Sequence, residues 1–178
     1  VVMEPDKVLP YFGTEEKPGC HLLYNVTTMA STWHTLATQD TRLLQNQLSR
    51  VFELRKDKVF LNYLRCHDDI GWGLDYEFLR NFGMEEIPHK AYLNAYFRGF
   101  TDLSESRGEL YNDDPLSGDA RLCGTTASLC GIEAGKKEKN PKKIENAIRL
   151  DIMLHAFLLS QSGIPVLYSG DEIAIEND

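Results

Sequence analysis

No apolar run in this chain approaches the ~20 residues that cross a bilayer, and no leader-like basic and apolar start is visible. Cytoplasmic residence is the expectation, with a leader lost upstream left open. Positive charge is in deficit: 19 Lys and Arg stand against 27 Asp and Glu, a net charge of −8. Such a balance argues against nucleic acid as a partner and decides little else. There is no phosphate loop and no dinucleotide fingerprint. Ser169-Gly170 lacks the flanking glycines of a nucleophile elbow. The four cysteines, Cys20, Cys66, Cys123 and Cys130, show neither C-x-x-C pairing nor zinc-ligand spacing. They read as buried free thiols of a reduced compartment rather than disulfides. Internal repeats are absent, and the only compositional bias is the Lys-rich stretch from Lys136 to Lys143, read as a solvated turn plus the start of the next helix.

What is present is a strand-helix-strand pattern. His21 to Asn25 reads as a short buried strand, with Thr27 or Thr28 as cap of a following helix. Met29, Trp33, Leu36, Leu43, Leu44, Leu48 and Val51 then recur at steps of about three to four residues. That spacing predicts one long helix with a single apolar stripe, ending near Arg55. Residues 58 to 66 read as a second strand, so the unit is a βαβ crossover with parallel strands. A strongly apolar helix from Ile144 to Gln161, capped by Gly163, leads into a third strand, Gly163 to Tyr168. Between lies an insertion, 70–143, with short helices over Tyr76 to Asn81 and His89 to Phe100, and a loop from Asp102 to Gly124. The flanking segments hold about three to four βα units of about 30 residues each.

The second strand runs straight into Cys66-His67-Asp68-Asp69. Imidazole and carboxylates are costly to bury beside such a run unless paired. At the C-terminal end of a parallel strand they read as a pocket rim, with a solvated, Asp-capped turn as the alternative. Asp113, Asp114 and Asp119 share one loop, but their spacing is not that of an EF-hand, and no metal is expected.

Two blocks resemble the α-amylase superfamily of glycoside hydrolases and transglucosidases. Arg65-Cys66-His67-Asp68-Asp69-Ile70-Gly71-Trp72 resembles the R-x-H-D-D-I-G-W block after the seventh barrel strand of the amylosucrase group. Gly163-Ile164-Pro165-Val166-Leu167-Tyr168-Ser169-Gly170-Asp171-Glu172 is similar to the superfamily's eighth strand. Tyr111-Asn112 with Ser117-Gly118-Asp119-Ala120-Arg121 resembles an element of that group's insertion, and Tyr24-Asn25 with Trp33 to Ala37 its sixth strand and helix. The resemblance covers nearly the whole chain. It implies an α/β fold: a partial TIM (β/α)8 barrel, about strands 5 to 8, with a helical and loop insertion after the seventh strand. The implied parts are a barrel segment over 1–69, an insertion subdomain over 70–143, and a barrel segment over 144–178. Val1 to Asp6 would follow the fifth strand, Glu4 would not be the acid/base residue, and both key carboxylates would lie upstream.

By the same resemblance, Asp68 is the transition-state stabiliser and His67 a hydrogen-bond donor to the same glucose. Before the match, His67 alone reads as a packed, satisfied core histidine rather than as a ligand. Asp69 and Arg121 are candidates for a bidentate ion pair or for acceptor-side sugar contacts. Trp72 is a candidate for stacking on a sugar face or for an aromatic plug. Asp171 and Glu172 are expected to organise the loop after the last strand. The implied function is part of a retaining α-glucosyl-transferring enzyme acting on sucrose or α-glucans, with no cofactor. Its implied partner is the remaining half of the barrel from the parent chain. Rivals are a sucrose hydrolase or α-glucosidase of the same superfamily, and a non-catalytic sugar-binding module.

Overall fold

The computed structural model describes residues 5–54 and 57–177. Its centre is a three-stranded parallel sheet of β1 (Leu22–Tyr24), β2 (Val59–Asn62) and β5 (Ile164–Pro165), in that spatial order. Leu22 pairs with Val59, and Leu61 with Ile164, so both crossovers bring the chain back in the same direction. The sheet does not close into a barrel among the described residues. Val1 to Glu4, placed after the fifth strand, and the helix end placed near Arg55 lie outside them.

A short helix, α1 (Pro5–Val8), leads into a 3₁₀ turn at Leu9–Phe12 and then β1. The crossover from β1 to β2 holds two helices, not one: α2 (Val26–Thr38) and α3 (Arg42–Phe52). The chain breaks where Gln39 takes a left-handed φ of 56° and Asp40 accepts from the Arg42 backbone N–H at 3.0 Å. Both halves still bury an apolar stripe, which is why the periodicity ran on through the break. The cap of α2 is Asn25, which accepts from the Thr28 N–H at 3.4 Å. Thr27 and Thr28 sit buried inside the first turn instead.

The second strand is shorter than its apolar run. Beyond Asn62 the backbone leaves the sheet, and the Leu64 carbonyl accepts from Trp33 Nε1 at 2.9 Å. Tyr63 and Leu64 remain buried, so they satisfy hydrophobicity without strand pairing.

The segment read as an insertion contains α4 (Tyr76–Arg80) and α5 (Glu86–Phe97), both near their expected places. The loop read over Asp102 to Gly124 holds an antiparallel hairpin, β3 (Glu109–Asp114) and β4 (Asp119–Cys123). Only Ala120 and Leu122 of this hairpin are fully buried, so its polar residues masked the alternation. Two further short helices follow, α6 (Thr126–Cys130) and α7 (Ile132–Lys137), joined at Gly131. They pack on α8 (Pro141–Ser160). That helix starts at the Asn140 cap rather than at Ile144 and ends at Gln161. Gly163 is therefore not its cap. With φ of 120° and its Cα so close to the Phe60 carbonyl that a Cβ would fall 2.5 Å from it, Gly163 instead lets β5 approach β2. The Lys-rich turn is solvated and paired: Lys143 reaches Glu105 and Glu138 at 2.7 Å each, and Lys136 contacts Glu176.

One apolar cluster joins the sheet to the segment 70–143. Trp33 from α2, Phe60 from β2, Ile70, Trp72, Leu93 and Phe97 from α5, and Leu122 from β4 all belong to it. Phe97 receives Trp33 edge-on at 5.6 Å and stacks with Trp72 at 5.5 Å. Each large side chain so buried contributes about 1.5–3 kcal/mol. The hairpin is thereby held over the C-terminal end of β2.

Candidate functional site

In a parallel sheet the residues just past the strand ends are free of ladder pairing and line whatever opens there. After Asn62 the chain passes through Tyr63, Leu64 and Arg65 to Cys66, His67, Asp68 and Asp69. Two backbone hydrogen bonds then clamp it to β4: Ile70 N–H to the Leu122 carbonyl at 3.0 Å, and Leu122 N–H to the Ile70 carbonyl at 2.9 Å. This stitch sets Asp69 against the hairpin side chains Tyr111, Arg121 and Cys123.

The result is a cleft of about 220 Å³ lined by Val26, Tyr63, Arg65, Asp68, Asp69, Tyr111 and Arg121, among others. A cavity of about 430 Å³ shares Arg65, Cys66 and Asp69 with it and adds His67, Cys123, Tyr168 and Asn177. Of the residues singled out from sequence, Asp68, Asp69 and Arg121 therefore meet in the cleft, and His67 stands at the adjoining cavity. His67 and Asp68 side chains are 72% and 66% exposed, with Nε2 and Oδ2 3.9 Å apart. So His67 is not a packed core histidine. Among the described residues, no other ion pair engages either side chain.

Asp69 is held differently. Burial alone would raise its pKa, but hydrogen bonds from the Tyr111 hydroxyl and the Cys123 thiol outweigh that, with the Arg65 and Arg121 charges adding to them. The net effect keeps Asp69 below the usual carboxylate range, and thus charged at neutral pH. The reciprocal effect appears in its donors. Burial, then the bond to Asp69, pushes the Cys123 thiol up to about 11; Tyr111 is raised first by its own bond to Asp69 and then by burial. The ion-pair partner of Asp69 is Arg65, at 3.9 Å. The bidentate Asp69–Arg121 pair considered from sequence is not formed: Arg121 is exposed on β4 and acts on Asp69 only as a nearby charge. It lines the cleft.

Trp72 lies away from the opening. It is 4% exposed, its Nε1 donates to Asn94 Oδ1 at 2.7 Å, and its ring stacks with Phe97. Of the two roles open to it, the structure realises the plug: a ring so buried offers no open face to a sugar. Arg65, Tyr111 and Cys123 went unassigned in the sequence reading. Arg65 and Tyr111 stood inside quoted motifs, but nothing local shows that the hairpin folds Tyr111 and Cys123 over Asp69.

Asp171 and Glu172 organise the segment after β5. Glu172 accepts from the Gly170 N–H at 2.8 Å, and Asp171 Oδ2 lies 3.6 Å from His155 Nε2. Two of the three loop aspartates serve structure: Asp114 accepts from Ser117 Oγ at 2.7 Å, and Asp119 meets Lys90 at 2.7 Å. No cluster of three His, Cys, Asp or Glu among the described residues is arranged to hold a metal ion. No helix among them is long and apolar enough to cross a membrane. No protein-family model matches the chain.

Proposed function

We propose that this chain forms part of the barrel of a retaining α-glucosyl-transferring enzyme acting on sucrose or α-glucans, and that the cleft beside Asp68 receives the glucosyl ring. The observation that carries the reading is the pair His67 and Asp68. Both are exposed and without other ion-pair partners, just past the central strand of a parallel sheet and beside a cleft rich in fixed donors. A stability role gives no reason to expose an acid and an imidazole paired only with each other there. Sugar recognition does, because hydroxyls exchange hydrogen bonds with both groups.

In this reading the nucleophilic carboxylate and the acid/base residue belong to sequence upstream of Val1. Retaining glycosidases hold those two groups about 5 to 5.5 Å apart and pass through an oxocarbenium-like state. Asp68 would grip glucose hydroxyls more strongly as positive charge develops on the ring, which is what lowers a barrier rather than a binding constant. His67 would donate to a hydroxyl of the same ring. Asp69, fixed in its charged form, and Arg121 would meet the acceptor. No cofactor is required, since sucrose carries its own activated glucosyl group.

The order β1-β2-β5 supports placing these strands as sixth, seventh and eighth of a barrel. So does the apolar surface on α8 and beyond: Ile152, Met153, Leu159, Leu167 and Ile173 are each at least half exposed. The remaining half of the barrel would cover that face.

The test is fructose release from sucrose. The longer protein carrying this segment is expected to release fructose, and Asp68→Asn to lower that rate by orders of magnitude while the fold survives. Near-normal rates in Asp68→Asn would remove Asp68 from the chemistry. The segment alone is expected to release none; robust turnover by it would overturn the upstream placement of the carboxylates. Sucrose binding by the longer protein without turnover would favour the binding module instead.

A further inference from the structure

The loop from Tyr168 to Asn177 supplies one wall of the cavity that holds His67 and Asp69. Its own backbone bonds are short-range: Ala174 N–H to the Asp171 carbonyl at 3.1 Å and Ile175 N–H to the Gly170 carbonyl at 3.1 Å. Those bonds shape the loop but do not fix it to the rest of the fold. Fixed points lie toward its far end, where Ala174 packs against Ala127, Ile132 and Ala147, Glu176 meets Lys136, and Asn177 Oδ1 accepts from the Thr125 N–H at 2.8 Å.

At the near end stands His155, on α8. Its Nδ1 lies 3.0 Å from the Asp151 carbonyl and 3.1 Å from Asp151 Oδ1. Its Nε2 lies 3.6 Å from Asp171 Oδ2. Both carboxylate side chains are largely withdrawn from water, at 12% and 7% exposure. A neutral imidazole carries one N–H and can serve one side only; an imidazolium serves both. Without that charge, two shielded carboxylates face each other across a neutral ring, which like-charge repulsion disfavours. The other groups facing this point are Glu172, whose carboxylate is turned to the Gly170 N–H, and the buried Cys130 thiol on α6. Burial pushes that thiol up, so it stays neutral and adds no competing charge.

We propose that His155 is a positioning residue: as an imidazolium bridging Asp151 and Asp171, it fixes the loop that walls the cavity beside His67. That this wall serves a sugar rests on the proposed function; the bridge itself does not. Loss of the bridge would release the near end of the loop and loosen the wall.

Hydrogen exchange and ring-nitrogen NMR on this chain test the bridge without any sugar. Protection of the Asp171, Ala174 and Ile175 amides is expected to fall about tenfold or more in His155→Gln, with β3–β4 amides unchanged. Unchanged protection in His155→Gln would overturn the bridge. If that variant does not fold, the ring nitrogens of the unaltered chain decide. Both protonated at pH 6 upholds the bridge, and one protonated overturns it. Normal bridging with no fructose release by the longer protein would sink the sugar reading alone.

Discussion

Asn25 and Asn62 face each other across the first two strands, with Asn25 Nδ2 donating to Asn62 Oδ1 at 2.8 Å. Asn62 Nδ2 in turn donates to the Ser162 carbonyl at 2.9 Å, just before the third strand. Both residues are almost completely buried. A chain of two amides therefore ties β1, β2 and the approach to β5 beneath the mouth of the cleft. Asn25 is at the same time the cap of α2.

Removing the middle of this chain should be expensive. Asn62→Leu leaves the buried Asn25 amide without its acceptor, at about 1–3 kcal/mol, while the carbonyl of exposed Ser162 can turn to water. Chemical denaturation is expected to show a loss of about 1–3 kcal/mol. A loss under half of that would mean water or a rearranged Asn25 replaces the bond.

Trp72 offers a test of plug against sugar platform. Trp72→Phe keeps an aromatic ring against Phe97 but strands Asn94 Oδ1, a cost of about 1–3 kcal/mol. Thermal unfolding should register the loss, while sucrose affinity of the longer protein should not change. A weakened sugar affinity with unaltered stability would reverse the assignment.

His34 and His89 make the fold sensitive to acid. Their rings lie 5.0 Å apart between α2 and α5, and no hydrogen bond reaches either nitrogen of His34. Burial first, then the neighbouring His89, lowers His34 from 6.5 to about 4, against a smaller raising by Asp40. Burial lowers His89 as well. The folded pKa is below the unfolded one, so the unfolded chain takes up the proton first. The stability from the neutral ring is complete above pH 6.5 and is lost as pH falls toward 4. For His34 the loss amounts to about 3 kcal/mol. Urea midpoints measured between these limits should fall steeply, and less steeply in His34→Leu. A flat profile in the unaltered chain would refute the buried neutral pair.

Tyr111 is expected to hold Asp69 in its charged form. Tyr111→Phe removes the hydroxyl donor, so the Asp69 carboxyl should titrate at higher pH than in the unaltered chain. Carboxyl-carbon NMR reads the shift directly. If Asp69 titrates unchanged, the Cys123 thiol and the two arginines suffice without Tyr111.

Local sequence by itself determined the parallel βαβ unit, the helices with strong apolar stripes, and the placing of His67 and Asp68 after a strand. Period and strand-end chemistry depend on residues a few positions apart, so they are legible in one dimension. The break at Gln39 was not, because both sides of it share a stripe. The hairpin was not, because only alternate residues of one strand are buried. Tertiary structure alone decided which groups complete the cleft. Arg65 rather than Arg121 pairs with Asp69, Tyr111 and Cys123 reach it from the hairpin, and Trp72 faces inward. Each of these depends on the stitch between Ile70 and Leu122, residues distant in sequence whose pairing no local spacing announces.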